Sequence, residues 1–295
     1  MRTGWGGRSC VRSPYSGRMA RRDRSRHRSD STLSGLPPLG ELLPISTGTA
    51  RVTQEHDGSV LLEVNGVPSS HLHPDPAHLV FEYMRWMQRV IELHLDDEDT
   101  GVPELAHLGG GGCALPRALA ATHPRARQVV VEVDSLLAEQ VREWFDLPRS
   151  PQLRLRIEDA MSALTSWRED RFDVLVRDVF ADSTTPEPLV SAEAAAHAAR
   201  VLVDGGIYLA NCAAPPGSGL MADEVATLST AFEHVAVIAE PAHLSGKRRG
   251  NCVLVASARA LPLGIDRALR SDPVSVRLAR ADQVEALRRA GRVRR

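Results

Sequence analysis

The chain has 295 residues, of which 43% are hydrophobic and 25% are charged, and its formal net charge at pH 7 is −1. These values are ordinary for a globular protein with an apolar core, and the length fits one large domain or one domain with a smaller partner. No apolar run approaches the ~18 residues of a transmembrane helix, so we expect no membrane span. The four cysteines form no CxxC pair, so we expect no disulfide framework, no metal site and a reduced, cytoplasmic location.

The net charge of almost zero conceals two basic ends and an acidic centre. Residues 1–47 hold nine Arg and three acidic residues, residues 259–295 hold ten Arg and four acidic residues, and the segment 48–258 holds 17 basic and 30 acidic residues. An acidic domain is a poor match for the phosphates of nucleic acid, so a nucleic-acid partner is not expected. It suits a cationic small molecule, because a cleft lined by one sign of charge concentrates the opposite sign. Acidic residues also coat the surface of ordinary globular proteins, which is the simpler interpretation.

The two basic ends of the chain are predicted to be tails. Residues 1–47 are rich in Arg and Ser and lack periodic apolar residues, which is typical of disorder. Their basic start is not followed by the apolar stretch of a secretory signal. Residues 261–295 are predicted to form a second basic tail with helical character.

Residues 48–100 carry the signals of a hairpin and a helix. Asp57-Gly58 and Asn65-Gly66 are strong turn signals between runs with strand periodicity. Ala77–His94 has apolar residues at helical spacing. We therefore predict a small N-terminal β-hairpin region followed by one helix.

Residues 101–260 alternate between strand and helix periodicity, which indicates a mostly parallel sheet covered by helices on both faces. The segment 240–250 lacks helical periodicity, so the last two strands are expected to pair antiparallel at the sheet edge. The predicted strands are Glu104–Leu108, Gln128–Val133, Leu153–Ile157, Asp173–Arg177, Gly206–Asn211, His234–Ala239 and Asn251–Ala256. The predicted helices are Ala114–Thr122, Ser135–Phe145, Ala160–Trp167, Ser191–Val203 and Gly219–Phe232.

The first candidate ligand site is the glycine turn that follows the strand Glu104–Leu108. In an open parallel sheet, ligands bind outside the carboxyl ends of the strands. Gly109, Gly110 and Gly111 permit positive φ angles and a close approach of backbone to ligand, and the helix start offers free N–H groups. The spacing Gly109-x-Gly111-x-x-Ala114 also fits the dinucleotide pattern GxGxxG/A, which by itself is a weak signal.

Acidic residues follow at the ends of the next three predicted strands. Glu132 can accept hydrogen bonds from both hydroxyls of a ribose. Asp159, followed by Ala160, is placed to accept from an exocyclic adenine amine. Asp178 supplies a carboxylate at the reacting end, with Asp182 close behind it. Together these residues predict an adenosine site with a carboxylate beside it.

Two residues near this site have structural interpretations. Asp134 is interpreted as a cap of the helix that begins near Ser135. Cys113 lies in the glycine turn, where a small packed side chain is favoured over a reactive thiol.

Four blocks of the sequence resemble one family. They are Leu108–Arg117, Val131–Asp134, Glu158–Ala160 and Phe172–Asp178, and they look like spermidine synthase and its aminopropyltransferase relatives. The resemblance extends from Val52 to Ala256. It implies an α/β, class I methyltransferase (Rossmann-like) fold, with a mostly parallel seven-stranded sheet, an antiparallel last strand and a small N-terminal β-hairpin region. Members are commonly oligomers, and we expect a homodimer.

The resemblance also implies roles for the candidate residues. Gly109–Gly111 line the thio-propyl part of decarboxylated S-adenosylmethionine. Glu132 holds the ribose, and Asp159 holds the adenine amine. Asp178 acts on the attacking amine of putrescine, a cationic polyamine, and is the expected catalytic residue.

The chain departs from the family pattern in the half of the site that holds the polyamine. Gly112 stands where the family has an Asp that binds the aminopropyl ammonium. Ala181 stands at the second acid of the family's DxxD pattern, one place before Asp182. Pro68 replaces a Gln, and the Tyr of the following helix aligns with Phe81. We therefore expect the residues that bind the nucleoside to be retained and those that bind the polyamine to be altered.

Three other functions are consistent with parts of this pattern. An S-adenosylmethionine-dependent methyltransferase needs only the nucleoside half. A non-catalytic member of the family binds a nucleoside or a protein partner without turnover. An NAD-linked dehydrogenase shares the glycine turn but gives no reason for Asp159 and Asp178 at successive strand ends.

Overall fold

The computed structural model describes residues 33–97, 101–181 and 184–295. In these segments the chain forms a four-stranded sheet, a long helix and an eight-stranded sheet with helices on both faces. None of the helices in these segments combines the length and apolarity needed to cross a membrane.

The small sheet is antiparallel, with its four strands in chain order. The strands are β1 (Leu42–Ile45), β2 (Gly48–Gln54), β3 (Val60–Val64) and β4 (Val67–Leu72). Gly58 and Gly66 occupy the turns that the sequence predicts, with φ angles of 82° and 77°, a region that glycine adopts without steric cost. The hairpins formed by β2, β3 and β4 agree with the prediction.

Strand β1 corrects the prediction that residues 1–47 are disordered, since it lies inside that segment. Pro44 lowers the strand propensity of this stretch, but Pro44 pairs with Thr49 on the edge strand of the sheet. An edge strand tolerates proline because one of its sides needs no backbone donor. The first 32 residues of the predicted tail lie outside the described residues.

The large sheet and the helices around it follow the alternating pattern. Its strands are β5 (Glu104–Leu108), β6 (Arg127–Glu132), β7 (Leu153–Ile157), β8 (Phe172–Arg177), β9 (Leu202–Ala214), β10 (His234–Ala239), β11 (Gly250–Ser257) and β12 (Arg277–Leu278). The helices are α1 (Glu82–Asp97), α2 (Ala114–Thr122), α3 (Ser135–Trp144), α4 (Ala160–Ser166), α5 (Ala192–Val201), α6 (Leu220–Leu228), α7 (Pro241–Leu244), α8 (Ile265–Leu269) and α9 (Ala281–Ala290), with a 3-10 helix at Glu187–Val190. The strand order is β12-β10-β11-β9-β8-β5-β6-β7.

The predicted sheet of seven strands is confirmed for β5 to β11. Strands β5 to β9 run parallel, and β11 runs antiparallel to both of its neighbours, β9 and β10. Strand β12 adds a short eighth strand beyond β10. Because β12 is only two residues long, it has no periodicity, and the sequence could not predict this strand.

A continuous apolar core joins the small sheet to the large one. It runs from Val52 and Leu62 of the small sheet, through Trp86 of α1, to Leu105 of β5 and Phe145 after α3. A second core cluster lies between the sheet and the helices α4, α5 and α6. Residues of α1 therefore belong to the same apolar core as residues of the hairpins and of the large sheet.

The segment 261–295 contains α8, β12 and α9 and returns along α6. A Cβ on Gly291, just after α9, would lie 1.9 Å from the carbonyl oxygen of Ala222, so this close approach requires glycine. The carbonyl of Arg294 accepts from the amide of Ala192 at 2.8 Å. The predicted basic tail thus contacts α5 and α6 through its backbone.

Asp134 connects the small sheet with the large one. Its Oδ1 accepts from the amides of Leu137 (2.8 Å) and Ser46 (2.9 Å), and its Oδ2 accepts from the amide (2.6 Å) and the hydroxyl (2.7 Å) of Thr47. The first bond caps α3, as the sequence predicts. Burial opposes ionisation of Asp134, but these donors outweigh it and hold the pKa of the carboxyl below its ordinary value.

Replacing Asp134 with Ala is expected to lower the free energy of unfolding by roughly 2–3 kcal/mol at pH 7, because a helix cap and three further bonds to a charged group are lost. Since the folded-state pKa is lowered, this stabilisation is present above the unfolded carboxyl pKa of ~3.9 and is lost as the pH falls through the folded pKa. Urea unfolding at pH 7 and at about pH 3 measures both effects.

The control is Ser191→Ala, which removes the hydroxyl that caps α5. It should cost about 1 kcal/mol. Equal losses for the two variants at pH 7 would contradict the connecting role of Asp134.

Candidate functional site

The glycine turn leaves β5 and enters α2 in a bend that requires glycine at two positions. Gly109 and Gly111 have φ angles of 89° and 47°. A Cβ on Gly109 would lie 2.3 Å from the carbonyl oxygen of Asp178, so the backbone at the end of β8 leaves no room for a side chain. The amide of Cys113 donates to the carbonyl of Gly110 at 2.8 Å and closes the turn.

Glu132, at the end of β6, binds this bend directly. Its Oε2 accepts from the amides of Gly110 (3.0 Å) and Gly111 (2.9 Å), and its Oε1 accepts from the amide of Asp134 (3.1 Å). The structure therefore brings Glu132 and the glycine turn together, as the sequence predicts. A carboxylate has about four acceptor positions, and three are used within the chain.

Asp159 follows β7 and is exposed. Its Oδ1 accepts from the amide of Ser162 at 2.8 Å and caps α4, which leaves Oδ2 outside the cap. Ala160 behind it is buried. The carbonyl of Glu132 accepts from the amide of Glu158 at 3.0 Å, which fixes the ends of β6 and β7 side by side.

Two large apolar side chains are exposed beside these acids. Val133 directly follows Glu132 and is 61% exposed, and Ile157 at the end of β7 is 55% exposed. Apolar side chains this exposed at adjacent strand ends indicate a surface that suits a flat apolar group. Sequence reasoning missed them, because each continues the apolar pattern of its strand.

Asp178 is held by two donors at the end of β8. The hydroxyl of Tyr83 donates to Oδ2 and the side-chain amide of Asn211 donates to Oδ1, each at 3.0 Å. Burial raises the pKa of Asp178, and the two hydrogen bonds and the charge of Arg177 oppose the rise. Burial and the neighbouring Asp178 also raise the pKa of the Tyr83 hydroxyl well above its ordinary value.

Tyr83 and Asn211 are site residues that the sequence analysis did not assign. Tyr83 lies on α1, two places after the Phe81 that the family alignment put at the tyrosine position. Asn211 lies near the end of β9, the strand beside β8 in the sheet. A polar residue near the end of a buried strand was the available signal for Asn211.

The polyamine half of the site is only partly described. Asp182 lies outside the described residues, so its predicted role stays a prediction. Ala181, next to it, is exposed and pairs with Thr184 through two backbone hydrogen bonds of 2.9 and 3.0 Å.

The space beside Gly112 is filled. Its amide donates to Oγ of Ser70 at 2.9 Å, and a Cβ on it would lie 2.8 Å from Cβ of Ser70 and 3.0 Å from Cδ1 of Leu72. A ring carbon of Phe145 is 3.2 Å from the same point. Side chains of β4 and of the region after α3 therefore occupy the place where the family has an aspartate.

Within the part of the chain that the structure describes, the cysteines supply no nucleophile to the glycine turn. Cys113 is buried, and its burial and the charge of Glu132 raise the pKa of the thiol to about 12. Cys212 and Cys252, remote in sequence, are opposite each other on β9 and β11 as free thiols. Among the described residues, no group of three or more His, Cys, Asp or Glu side chains could hold a metal ion.

A groove of about 500 Å³ opens elsewhere, between residues 226–230 at the end of α6 and residues 285–293 of α9 and the chain after it. It is lined by Glu285, Arg288 and Arg289, among others, and by none of the candidate residues. Both arginines pair with Glu285 at 2.7 Å, so we assign no ligand to this groove.

The chain has the class I methyltransferase fold. The features that define it are the order of the strands, the antiparallel strand within the sheet, and the glycine bend with carboxylates at successive strand ends. Human methyltransferase-like protein 13, solved in complex with SAH, matches with a TM-score of 0.52 and 17% identity, covering 71% of this chain and 90% of that chain. The spermidine synthase of Thermotoga maritima matches with a TM-score of 0.57 and 16% identity, covering 84% of each chain.

A probable spermidine synthase from Corynebacterium glutamicum is more similar, with a TM-score of 0.82 and 34% identity over 88% of this chain and 96% of that chain. The chain belongs to the spermidine synthase family, and the resemblance read from its sequence is confirmed.

A polyamine aminopropyltransferase of Vibrio vulnificus is 25% identical over 157 residues, 52% of this chain. The match spans 50% of the length of that curated relative. No protein-family model matches the chain.

Gly112→Ala is expected to lower the free energy of unfolding by about 1–3 kcal/mol, because the added methyl overlaps atoms of Ser70 and Leu72 that cannot move independently of the core. Gly110→Ala is the control with a smaller expected loss, since the nearest atom to its Cβ is a methyl of Val130 at 3.2 Å. Chemical denaturation compares the two. A Gly112→Ala protein as stable as the wild type would mean that the space is open.

Proposed function

We propose that the protein is a spermidine synthase-like transferase, which moves the aminopropyl group of decarboxylated S-adenosylmethionine to an amine of a polyamine. S-adenosylmethionine is the alternative ligand of the same nucleoside site. The observation that carries the proposal is the convergence of Glu132 and Asp178 on one glycine bend. Membership of the spermidine synthase family supports it, as does the name of the Vibrio relative. A homodimer and a cytoplasmic location stay predictions.

For the nucleoside, we assign Glu132 to the ribose hydroxyls, Asp159 with Ala160 to the adenine amine, and Gly109–Gly111 to the sulfur end. The exposed Val133 and Ile157 support this assignment, because apolar side chains beside the two acids can cover a flat base. Glu132 already accepts three N–H groups, so the ribose hydroxyls share its oxygens with the amides of the bend.

For the reaction, Asp178 is the proposed base. The amine nitrogen attacks the methylene carbon attached to the sulfonium, the C–S bond breaks, and its electron pair passes to sulfur to leave a neutral thioether. The proton of the amine goes to Asp178, whose raised pKa suits a carboxylate that must accept it. Tyr83 and Asn211 hold one carboxylate oxygen each, which fixes its orientation toward the amine.

A methyltransferase that uses S-adenosylmethionine is the second candidate. The observation that favours it is the filled space at Gly112, which leaves no protein carboxylate at that position. The ammonium of S-adenosylmethionine lies beside its own carboxylate and needs such a partner less than the ammonium of the decarboxylated form. Titration of the protein with S-adenosylmethionine and with its decarboxylated form separates the two candidates. Tighter binding of the carboxylated form would count against aminopropyl transfer.

Glu132→Gln is expected to weaken binding of 5′-methylthioadenosine by about tenfold to hundredfold, because a charge-assisted hydrogen bond worth ~1.5–3 kcal/mol is lost. Glu158→Gln is the control, since Glu158 lies beside Asp159 but pairs with Arg156 at 2.9 Å. Its affinity should equal that of the wild type. Calorimetric titration measures both, and an unchanged affinity of the Glu132 variant would remove the ribose assignment.

Asp178→Asn is expected to lower the turnover of decarboxylated S-adenosylmethionine with putrescine by about 10²–10⁴-fold, the usual contribution of a general base. Because burial raises the pKa of Asp178, the acidic limb of the kcat profile should lie above the ~3.9 of an ordinary aspartate. Release of 5′-methylthioadenosine between about pH 4 and 9 gives the profile. Glu169→Gln, on the exposed surface, is the control, and full activity of the Asp178 variant would exclude its role as base.

A further inference from the structure

The residue immediately before Asp178, Arg177, belongs to a buried ion pair. Arg177 is the last residue of β8, and its Nη2 lies 2.7 Å from Oε2 of Glu224 on α6. The two side chains are only 2% and 8% exposed. Buried charges of this kind are rare and need an explanation.

The guanidinium also binds two backbone carbonyls. Its Nη1 donates to Leu189 in the 3-10 helix at 3.1 Å, and its Nη2 donates to Asn211 on β9 at 3.0 Å. Asn211 in turn donates its side-chain amide to Asp178. A single side chain therefore connects β8, β9, α6 and the 3-10 helix around the residue that orients Asp178.

Stability alone is a weak explanation for this pair. Moving two charges out of water costs several kcal/mol per ion, and well-packed apolar residues often replace such a pair without loss. A guanidinium offers what an apolar side chain does not, a planar set of five donors that fixes several acceptors at once.

We propose that Arg177 and Glu224 form a positioning pair for Asp178, a role that rests on the proposed function of that carboxylate. Arg177 fixes the backbone of Asn211, and Asn211 with Tyr83 fixes the two carboxylate oxygens. Glu224 pairs with the guanidinium at 2.7 Å and holds it in place. Asp178 thus meets the attacking amine in one orientation.

The pair also acts on the charge of Asp178. Tyr83 of α1 and Asn211 of β9 donate hydrogen bonds to this carboxylate, and the cation of Arg177 on β8 acts on it through space. Only Arg177 among them carries a charge, and its cation favours the ionised carboxylate against the effect of burial.

Three variants separate positioning from stability. Arg177→Met combined with Glu224→Leu removes both charges together, so that no charge is left buried without a partner. Arg177→Lys keeps the charge and loses the planar set of donors. Val237→Ala truncates a buried residue of the core cluster that packs around α6, and it controls for lost stability.

Each variant is measured in three ways. These are kcat with decarboxylated S-adenosylmethionine and putrescine across pH, affinity for 5′-methylthioadenosine, and titration of the Asp178 carboxyl by carbon NMR, assigned by its absence in Asp178→Asn. For the double variant we expect kcat to fall by about tenfold or more, and both the acidic limb and the carboxyl titration to move to higher pH. Nucleoside affinity should stay unchanged. For Arg177→Lys, kcat should fall while the titration stays near that of the wild type.

The outcomes are distinct. A carboxyl titration and a pH profile in the double variant that match those of Val237→Ala would overturn the proposal. If the double variant does not fold, Arg177→Lys decides, because an unchanged kcat overturns positioning. Failure of the proposed function gives a different result from these two outcomes. The wild type would then show neither nucleoside binding nor turnover, but the titration of the Asp178 carboxyl would still shift in the double variant.

Discussion

The carboxyl edge of the large sheet depends on two hydrogen bonds, from the amides of Gly110 and Gly111 to one oxygen of Glu132. They fix the bend between β5 and α2 against the end of β6. The bend then places Gly109 against the carbonyl of Asp178, at a separation that only glycine permits. Both halves of the candidate site therefore share one backbone arrangement, in which the glycine bend contacts Glu132 on one side and the backbone of Asp178 on the other.

The sequence predicted much of this architecture because the buried strands are short, apolar and bounded by clear turns. Strands β5, β7 and β10 have the predicted bounds, and the acids at successive strand ends follow from the topology of a parallel sheet. Strand β1 was missed because Pro44 opposes a strand unless the strand lies at an edge. The contact of Asp178 with Tyr83 was missed because it joins residues that are 95 positions apart, on elements whose packing no local pattern specifies.

Gly112 shows how a sequence comparison and a structure answer different questions. The comparison notes that an aspartate of the family pattern is absent. The structure adds that Ser70, Leu72 and Phe145 fill the space around this position. Restoring an acid there would therefore disturb the core. The ion pair of Arg177 and Glu224 likewise shows up only in the structure, since it joins the end of β8 to the middle of α6 across 47 residues of sequence.

The attachment of the β1–β2 turn to Asp134 restricts the motion of the small sheet relative to the large one. The small sheet cannot swing away from the large one unless several hydrogen bonds to a charged group break together. The attachment is already made in the protein without a ligand. The loss of conformational freedom in ordering the hairpins is therefore a cost of folding and not of ligand binding.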